Sequence, residues 1–219
     1  NLKITFSLDK NSIMVNFTKI DGIKYYDCQY KDEAWSIIQD AEIHDLNKYA
    51  KEQKVSFAVV ANTGYDLGSL SIKFSGYVDD DKQIKKVFEN GDFVVYEFIA
   101  DVSNTISGSI SKYKYSVTLE TKLKDSDGND LNDTDALGTY LQDGIKITGI
   151  SEVIYGNSTH FEVELPQKYN QSQLKVYVYD VPSNDSNETE VKNLQEIPLY
   201  DGKYVIYDIT SNKCVYIKN

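Results

Sequence analysis

One stretch, residues 113–123 (YKYSVTLETKL), decides the fold class because its apolar and polar side chains alternate. Tyr113, Tyr115, Val117 and Leu119 share one side, and the residues between them are polar. Successive side chains of a β-strand point to opposite faces, so this stretch predicts a strand with one buried and one solvated face. Many of the chain's 18 tyrosines lie in similar runs. The sequence therefore predicts a mainly antiparallel β protein.

Further strands are predicted on both sides of this stretch, between turn-forming segments such as Asp21-Gly22 and Asn62-Thr63-Gly64. Residues 93–102 are apolar on both faces, which is typical of a central strand covered on both sides. The remaining predicted strands lie at 2–8, 13–17, 20–30, 55–61, 70–74, 145–147, 161–165, 174–181, 204–209 and 214–217.

Residues 33–53 do not show this alternation. Trp35, Ile38 and Ala41 instead recur at intervals close to those of a helical face, and Asp32 is a suitable N-cap. We therefore expect one α-helix at about residues 33–53, inserted among the strands of the N-terminal region.

The domain organisation is predicted from residues 124–144, which are rich in Asp, Asn and Gly and poor in bulky apolar groups. Domain boundaries favour segments of this composition. The sequence thus predicts a β-rich domain over residues 1–144, which contains the helix, and a smaller β-sandwich over residues 145–219.

Residues 145–219 resemble a bacterial immunoglobulin-like repeat, from residues 145–150 (IKITGI) through residues 203–209 (KYVIYDI). Residues 117–131, with the core LKDSDGN, are similar to hairpins of such surface proteins. These families serve as adhesin, pilus or wall-protein modules in Gram-positive bacteria. The resemblance implies an immunoglobulin-like sandwich and a secreted or cell-surface location.

The charge of the chain argues against nucleic-acid partners. The formal net charge is −11, and all 23 basic residues are lysine. A negative surface repels phosphate backbones and anionic lipid surfaces, and lysine does not replace the planar fork of arginine. No apolar segment reaches the ~20 residues that a membrane-spanning helix needs. Expected partners are a host or cell-wall protein, a glycan, or neighbouring surface subunits.

Residue types needed for catalysis are sparse. The chain has two histidines, His44 and His160, and it lacks a G-x-S-x-G elbow and the glycine-rich loops that bind nucleotides. The two cysteines, Cys28 and Cys214, are either buried thiols or a disulfide between the terminal regions. We therefore expect a protein that is not an enzyme and has no obligatory cofactor.

Two kinds of binding site are nevertheless conceivable. Calcium prefers several oxygen ligands on a flexible loop, which Asp125, Asp127, Asn129 and Asp133 could supply, although a tight turn without metal is the alternative. Aromatic rings exposed on a sheet can stack against sugar rings, although tyrosine is also an ordinary strand residue. The candidates for stacking are Trp35, Tyr25, Tyr26, Tyr30, Tyr177 and Tyr179.

These features predict a non-catalytic, adhesin-like binding or structural module of a Gram-positive cell surface. The alternatives are a carbohydrate-binding module and a subunit of a pilus or surface layer. Some subunits of that kind carry a lysine–asparagine isopeptide bond beside a buried acid, for which Lys19, Lys73 and Lys114 are candidates.

Overall fold

The structure, a computed structural model, describes residues 12–124, 127–129, 139–140, 144–167, 169, 171–181 and 193–219. Most of these residues lie in β-strands, and no α-helix occurs among them. The prediction of a mainly β protein is therefore confirmed. The strand predicted at 2–8 lies outside the described residues.

The chain divides into two compact units between Lys112 and Tyr113. The boundary expected from the sequence lay later, at the end of residues 124–144. The difference arises because Val117, which precedes that polar stretch, packs into the same core as Ile147, which follows it. The polar stretch therefore belongs to the second unit, although its composition is that of a linker.

The first unit contains two sheets with the strand orders β4-β1-β9-β6 and β3-β2-β5-β8-β7. Strand β1 runs parallel to β9, and the other pairings in the two sheets are antiparallel. A 3₁₀ turn at Asp80–Lys82 precedes β7. The strands are β1 (Ser12–Phe17), β2 (Ile23–Lys31), β3 (Ala34–Ile43), β4 (Asp45–Ala50), β5 (Gln53–Ala61), β6 (Tyr65–Phe74), β7 (Lys85–Glu89), β8 (Val94–Ala100) and β9 (Asn104–Lys112).

Each sheet of the first unit contributes one apolar face to a shared core. Val15 and Phe17 come from β1, Ile106 from β9, Phe57 from β5 and Phe98 from β8, and each of these side chains is almost fully buried. Because strand residues alternate in direction, a sandwich buries every second side chain of its central strands. The burial pattern of β1 alternates in this way.

The second unit is also a two-sheet sandwich, with the strand orders β13-β10-β18-β15-β16 and β11-β12-β14-β17. Its first strand, β10, runs parallel to its last, β18. A 3₁₀ turn at Gln171–Gln173 precedes β15. The strands are β10 (Lys114–Lys122), β11 (Thr139–Tyr140), β12 (Lys146–Gly149), β13 (Glu152–Ile154), β14 (Thr159–Glu164), β15 (Lys175–Asp180), β16 (Gln195–Glu196), β17 (Tyr204–Ile206) and β18 (Lys213–Lys218).

The stretch that predicted the fold class forms β10, the strand between β13 and β18. Val117 and Leu119 are buried in the core, and Tyr115 packs against that core from its edge. In the opposite sheet, the rings of Phe161 on β14 and Tyr204 on β17 stack with their centroids 5.2 Å apart. The predicted alternation between a buried and a solvated face is thus confirmed for this strand.

Both units share one central strand order. In the first unit β4-β1-β9-β6 faces β2-β5-β8, and in the second β13-β10-β18-β15 faces β12-β14-β17. Strands that occupy equivalent positions in the two sandwiches also occur in the same order along the chain. The strands outside this shared order are β3 and β7 in the first unit and β11 and β16 in the second.

The helix predicted at residues 33–53 is wrong, because this segment forms β3 and β4. Asp32, the expected N-cap, is instead the first residue of the two-residue turn between β2 and β3. The register of the β2–β3 hairpin shifts between Tyr26 and Cys28, and Asp40 on the opposite strand has a positive φ of 61°. Such a bulge interrupts the alternation of side chains, so the apolar spacing imitates a helical period.

Candidate binding face of the first unit

A second apolar cluster lies on the face of the sheet β3-β2-β5-β8-β7 that points away from the core of the first unit. Ala58 of β5 and Val95 of β8 are fully buried there, and Phe93 is 9% exposed. Side chains packed against these three are partly buried: Tyr26, Cys28, Trp35, Ile37, Val60 and Phe88. The prediction that residues 93–102 are covered on both faces is confirmed for residues 93–96, whereas Val102 is 47% exposed.

The β2–β3 hairpin places most of the aromatic side chains on this face. The ladder between β2 and β5 ends where Asp27 lies opposite Phe57, whereas the pairing of β2 with β3 continues to Lys31. The last part of the hairpin is therefore a two-stranded ribbon. Within it Tyr30 lies opposite Trp35, so both side chains project to the same side.

The aromatic face, defined here as Tyr26, Tyr30, Trp35, Phe88 and Phe93, combines covered and exposed rings. Tyr30 is 61% exposed. Its ring centroid lies 5.3 Å from that of Trp35, with 53° between the ring planes. Phe88 and Phe93 form a second pair at 5.5 Å. Solvent-exposed aromatic surface next to buried apolar side chains is typical of a binding surface.

A polar group lies on the same face of the sheet. Ser56 and Glu97 are cross-strand neighbours on β5 and β8, and the Ser56 hydroxyl donates a 2.9 Å hydrogen bond to Glu97 Oε1. Lys54 Nζ lies 2.7 Å from Glu97 Oε2. The face thus carries a paired carboxylate that can accept or orient hydrogen bonds beside its apolar part.

Three of the six predicted aromatic candidates, Tyr26, Tyr30 and Trp35, lie together on this face. Tyr25 does not: as the neighbour of Tyr26 on β2 it points to the opposite face, and it is only 5% exposed. Its ring packs edge-on against Phe17 at 5.3 Å. Tyr25 is therefore a core residue, and the prediction that it stacks against a ligand on an exposed sheet is wrong.

The remaining candidates, Tyr177 and Tyr179, lie on the outer side of β15 in the second unit. Tyr177 pairs with Tyr216, with ring centroids 6.1 Å apart, and Lys218 Nζ lies 5.2 Å from the Tyr177 centroid. The Tyr179 hydroxyl donates a 2.9 Å hydrogen bond to Glu120 Oε2. Burial in the first place, and also hydrogen bonding to Cys214 and Glu120, raises the pKa of Tyr179. Both tyrosines therefore already contact other side chains of the second unit.

The calcium prediction concerns a loop that is only partly described. Asp125 and Asp133 lie outside the described residues, whereas Asp127 and Asn129 are exposed. Within the described part of the chain, no group of three or more acidic, histidine or cysteine side chains is arranged to hold a metal ion. Calcium binding at this loop stays a prediction.

The two cysteines are free thiols, so the disulfide considered from the sequence is not formed in this structure. Cys214 is buried, and Cys28 is partly buried under the aromatic face. Burial, with smaller contributions from the carboxylates of Asp27 and Glu97, raises the pKa of the Cys28 thiol to about 12. At neutral pH this thiol is protonated and therefore a weak nucleophile.

The lysines considered for an isopeptide bond lie at the surface. Lys19 and Lys73 are exposed, and Lys114 forms a 2.8 Å ion pair with Glu152 in which both side chains are about 60% exposed. A spontaneous isopeptide bond needs a buried lysine beside a buried acid, because burial is what perturbs both groups. None of the three lysines has that environment.

Sequence reasoning did not assign Phe88 to the aromatic face, nor Ala58 and Val95 to the buried side chains beneath it. The apolar run at 93–102 was the signal for them, since a strand that is apolar on both sides needs a cover on both sides. The sequence did not show which residues supply that cover.

Comparisons with protein-family models, with curated proteins and with solved structures found no match to this chain. In the part of the chain that the structure describes, no helix is long and apolar enough to cross a membrane.

Proposed function

We propose that this chain is a non-catalytic binding module of a bacterial cell surface and that the aromatic face is its binding surface. The observation that carries the proposal is the exposed Tyr30 ring beside Trp35, which itself packs against the buried side chains of Ala58, Phe93 and Val95. Rigid aromatic rings on a packed sheet bind a partner with little loss of conformational entropy.

The proposal includes an extracellular, adhesin-like role in a Gram-positive bacterium, with a host or cell-wall protein or glycan as partner. The sandwich architecture of the second unit agrees with the resemblance to immunoglobulin-like surface modules. The agreement concerns architecture and not strand order, because immunoglobulin domains keep strands A and B in one sheet, whereas β10 and β12 lie in different sheets.

Among possible partners, the Tyr30–Trp35 pair favours a carbohydrate. A pyranose ring has an apolar face that stacks on aromatic rings, and its hydroxyls need hydrogen-bond partners such as the Ser56–Glu97–Lys54 group. The two ring planes are inclined by 53°, so the pair does not present a single flat surface.

The test uses the fact that Trp35 is the only tryptophan of the chain. A glycan array identifies ligands, and a titration that follows Trp35 fluorescence measures their affinity. We expect a ligand to change the tryptophan emission and the substitutions Tyr30→Ala and Trp35→Ala to weaken array binding at least fivefold, about the contribution of one aromatic contact.

A matched control is Tyr77→Ala, which removes an 87% exposed tyrosine elsewhere in the first unit. This variant should bind like the unchanged chain. If no glycan on the array binds, a carbohydrate partner is excluded. If the Tyr30→Ala and Trp35→Ala variants bind a protein partner as tightly as the unchanged chain does, the aromatic face is excluded as the binding surface. Turnover of a substrate that a single carboxylate substitution abolishes would refute the non-catalytic role.

A further inference from the structure

Three lysines form a row across the outer face of the sheet β13-β10-β18-β15-β16 in the second unit. Lys122 of β10 is the register partner of Lys218 of β18, and Lys218 is also the partner of Lys175 of β15. Register partners on neighbouring strands lie on the same face of a sheet. This face is the outer one, because Ile217 and Val176, which precede Lys218 and follow Lys175, belong to the core. We call these three residues the lysine row.

The lysine row is not favoured by folding. Like charges directly opposite one another in a sheet are destabilising. The formal net charge of the chain is −11, so a local concentration of positive charge is contrary to the overall composition. At the other end of the same outer face, Lys114 of β10 lies instead 2.8 Å from its counter-charge, Glu152 of β13. A row that costs stability is a candidate for a functional feature.

Counter-charges in the described part of the chain neutralise the row only in part. Lys175 Nζ lies 3.1 Å from Glu196 Oε1, and about half of each side chain is exposed. Lys218 Nζ lies over the ring of Tyr177, 5.2 Å from its centroid. Neither Lys218 nor Lys122 forms an ion pair with a described carboxylate. The lysine row therefore keeps an excess of positive charge.

Along β10, one charge of each sign flanks the row. Glu120 lies two positions before Lys122, and Lys124 lies two positions after it. Oε2 of Glu120 accepts a 2.9 Å hydrogen bond from the Tyr179 hydroxyl. Because the two flanking charges balance, the excess of positive charge comes from the lysine row itself.

Both ends of the row are accessible. Strand β13 pairs with β10 only at Lys114–Ser116, and β16 pairs with β15 only at Tyr177 and Val178. No described strand therefore continues the sheet beyond Lys122 on one side or beyond Lys175 on the other. Both of these lysines are exposed. An extended ligand can thus run across the three strands and contact each lysine.

A pair of aromatic rings borders the row. Tyr216 and Tyr177 are register partners on β18 and β15, and each lies two positions from a lysine of the row and on the same face. Their ring centroids are 6.1 Å apart, and both side chains are partly exposed. Aromatic rings beside the ammonium groups offer an apolar contact to a ligand that also carries negative charge.

We propose that the lysine row is a second binding site and that its ligand is a linear polysaccharide of uronic acids. Neighbouring strands lie about 4.8 Å apart, which is close to the length of one pyranose residue in a linear chain. A polyuronate carries one carboxylate on each sugar, so successive carboxylates meet Lys122, Lys218 and Lys175, while the sugar rings lie beside Tyr216 and Tyr177.

The chemistry of the row favours such a chain over a nucleic acid. A lysine ammonium pairs with a carboxylate as a point charge, whereas bidentate recognition of phosphate uses arginine. All basic residues of this chain are lysine. The site consists of residues of the second unit alone, so it is distinct from the aromatic face and does not depend on the ligand of that face.

The experiment titrates the full chain, labelled with ¹⁵N, with the trimer of galacturonic acid and, in parallel, with the neutral trimer maltotriose. We expect the acidic trimer to shift the amide signals of Lys122, Lys175 and Lys218 and to bind at least tenfold more tightly than maltotriose. Its affinity should fall as the salt concentration rises. Lys218→Gln removes the central charge and should weaken binding about fivefold.

Two controls separate this site from others. Lys114→Gln removes a lysine from the same strand and the same face, at the other end of β10, and should bind the acidic trimer like the unchanged chain. Trp35→Ala, which alters the aromatic face, should also leave this binding unchanged. Failure of the aromatic face to bind any partner is therefore distinguishable from failure of the lysine row.

Thermal unfolding tests whether the row lacks counter-charges. Lys122→Gln and Lys114→Gln change the net charge equally, but the first relieves repulsion and the second breaks the ion pair with Glu152. The midpoint of Lys122→Gln should therefore be the higher of the two. A lower midpoint for Lys122→Gln would show that the chain itself neutralises this lysine, which overturns the proposal.

Three binding results would also overturn it. They are the absence of shifts at the lysine row, equal affinity for the acidic and the neutral trimer, and unchanged binding by Lys218→Gln. A single-stranded DNA oligonucleotide of the same charge serves as a competitor. If it binds more tightly than the acidic trimer, the row recognises phosphate and not a polyuronate.

Discussion

At the scale of the residue, Gly22 shows how one backbone position controls the end of the first unit. Its φ is +93°, and a Cβ placed on it would lie 2.4 Å from Cδ1 of Tyr65. The Tyr65 ring is held over this glycine by the hydrogen bond from its hydroxyl to Asp21. Only a residue without a side chain satisfies both the backbone angle and the space.

We predict that Gly22→Ala lowers the free energy of unfolding of the first unit by about 2 kcal/mol or more, from backbone strain and displacement of the ring. Urea unfolding followed by circular dichroism measures the loss. Gly91→Ala is the control, because nothing lies within 4 Å of a Cβ at that position, and it should change stability by less than about 0.5 kcal/mol. Equal losses in the two variants would contradict the explanation.

Tyr25 also predicts how stability depends on pH. Burial raises the pKa of its phenol from 10.0 to about 12. Below pH 10 both folded and unfolded chains keep the proton, and the group has no effect on the pH dependence. Between pH 10 and 12 the unfolded chain loses the proton and the folded chain retains it, so stability falls as pH rises. We expect this group to account for a loss of about 1–2 kcal/mol over that window.

The measurement compares urea unfolding of the unchanged chain and of Tyr25→Phe from pH 9 to pH 12. The variant should lose less stability between pH 10 and 12, while both chains share the effects of their lysines. If the free energy of unfolding falls equally with pH in both chains, the phenol has the same pKa in the folded and unfolded states, which would contradict this prediction.

At the scale of the element, the β2–β3 hairpin is limited by its turn. Asp32 and Glu33 have φ values of 52° and 64°, as both central residues of a type I′ turn require. Aspartate tolerates this region, but glutamate has no local compensation for it. The turn between Tyr200 and Lys203 uses Asp201 and Gly202 at the same two positions, which is the favoured pair.

We therefore predict that Glu33→Gly stabilises the first unit by about 0.5–1 kcal/mol, because glycine adopts the left-handed conformation without steric cost. Thermal unfolding should show a higher midpoint. Lys31→Gly, one strand position before the turn, should do the opposite, since it weakens a paired strand. A lower midpoint for Glu33→Gly would mean that the glutamate contributes a contact that outweighs its strain.

At the scale of the whole molecule, the units are two versions of one sandwich in which, among the described residues, the first strand runs parallel to the last. In the second unit this strand is β10, which lies between β13 and β18. It supplies Val117, Leu119 and Leu123 to the core. Without β10, the inner edge of β18 would lose its partner and the core would lose one wall.

We accordingly predict that a fragment of residues 113–219 folds cooperatively, whereas a fragment of residues 145–219, the domain expected from composition, does not. Far-ultraviolet circular dichroism during urea unfolding distinguishes the two, since a folded sandwich gives a sigmoidal transition. A sigmoidal transition for the shorter fragment would show that β10 is dispensable.

The sequence alone predicted most of the strands and several turns. Alternation identified β10, and glycine-containing segments such as Asn62-Thr63-Gly64 marked turns. These features depend on residues that are near neighbours in the chain, so local patterns contain them. The prediction failed at β3, where a bulge whose position depends on pairing with β2 disturbed the local period.

Only the tertiary structure decided which strands meet and therefore where the chain divides and which aromatic residues share a surface. Tyr25 and Tyr26 are adjacent and chemically identical, and alternation places them on opposite faces. Which one enters the core depends on the sheet that packs against β2, formed by strands that lie far away in sequence. Pairing between distant segments is determined by the packing of the whole core, and for that reason the pattern of a single segment does not contain it.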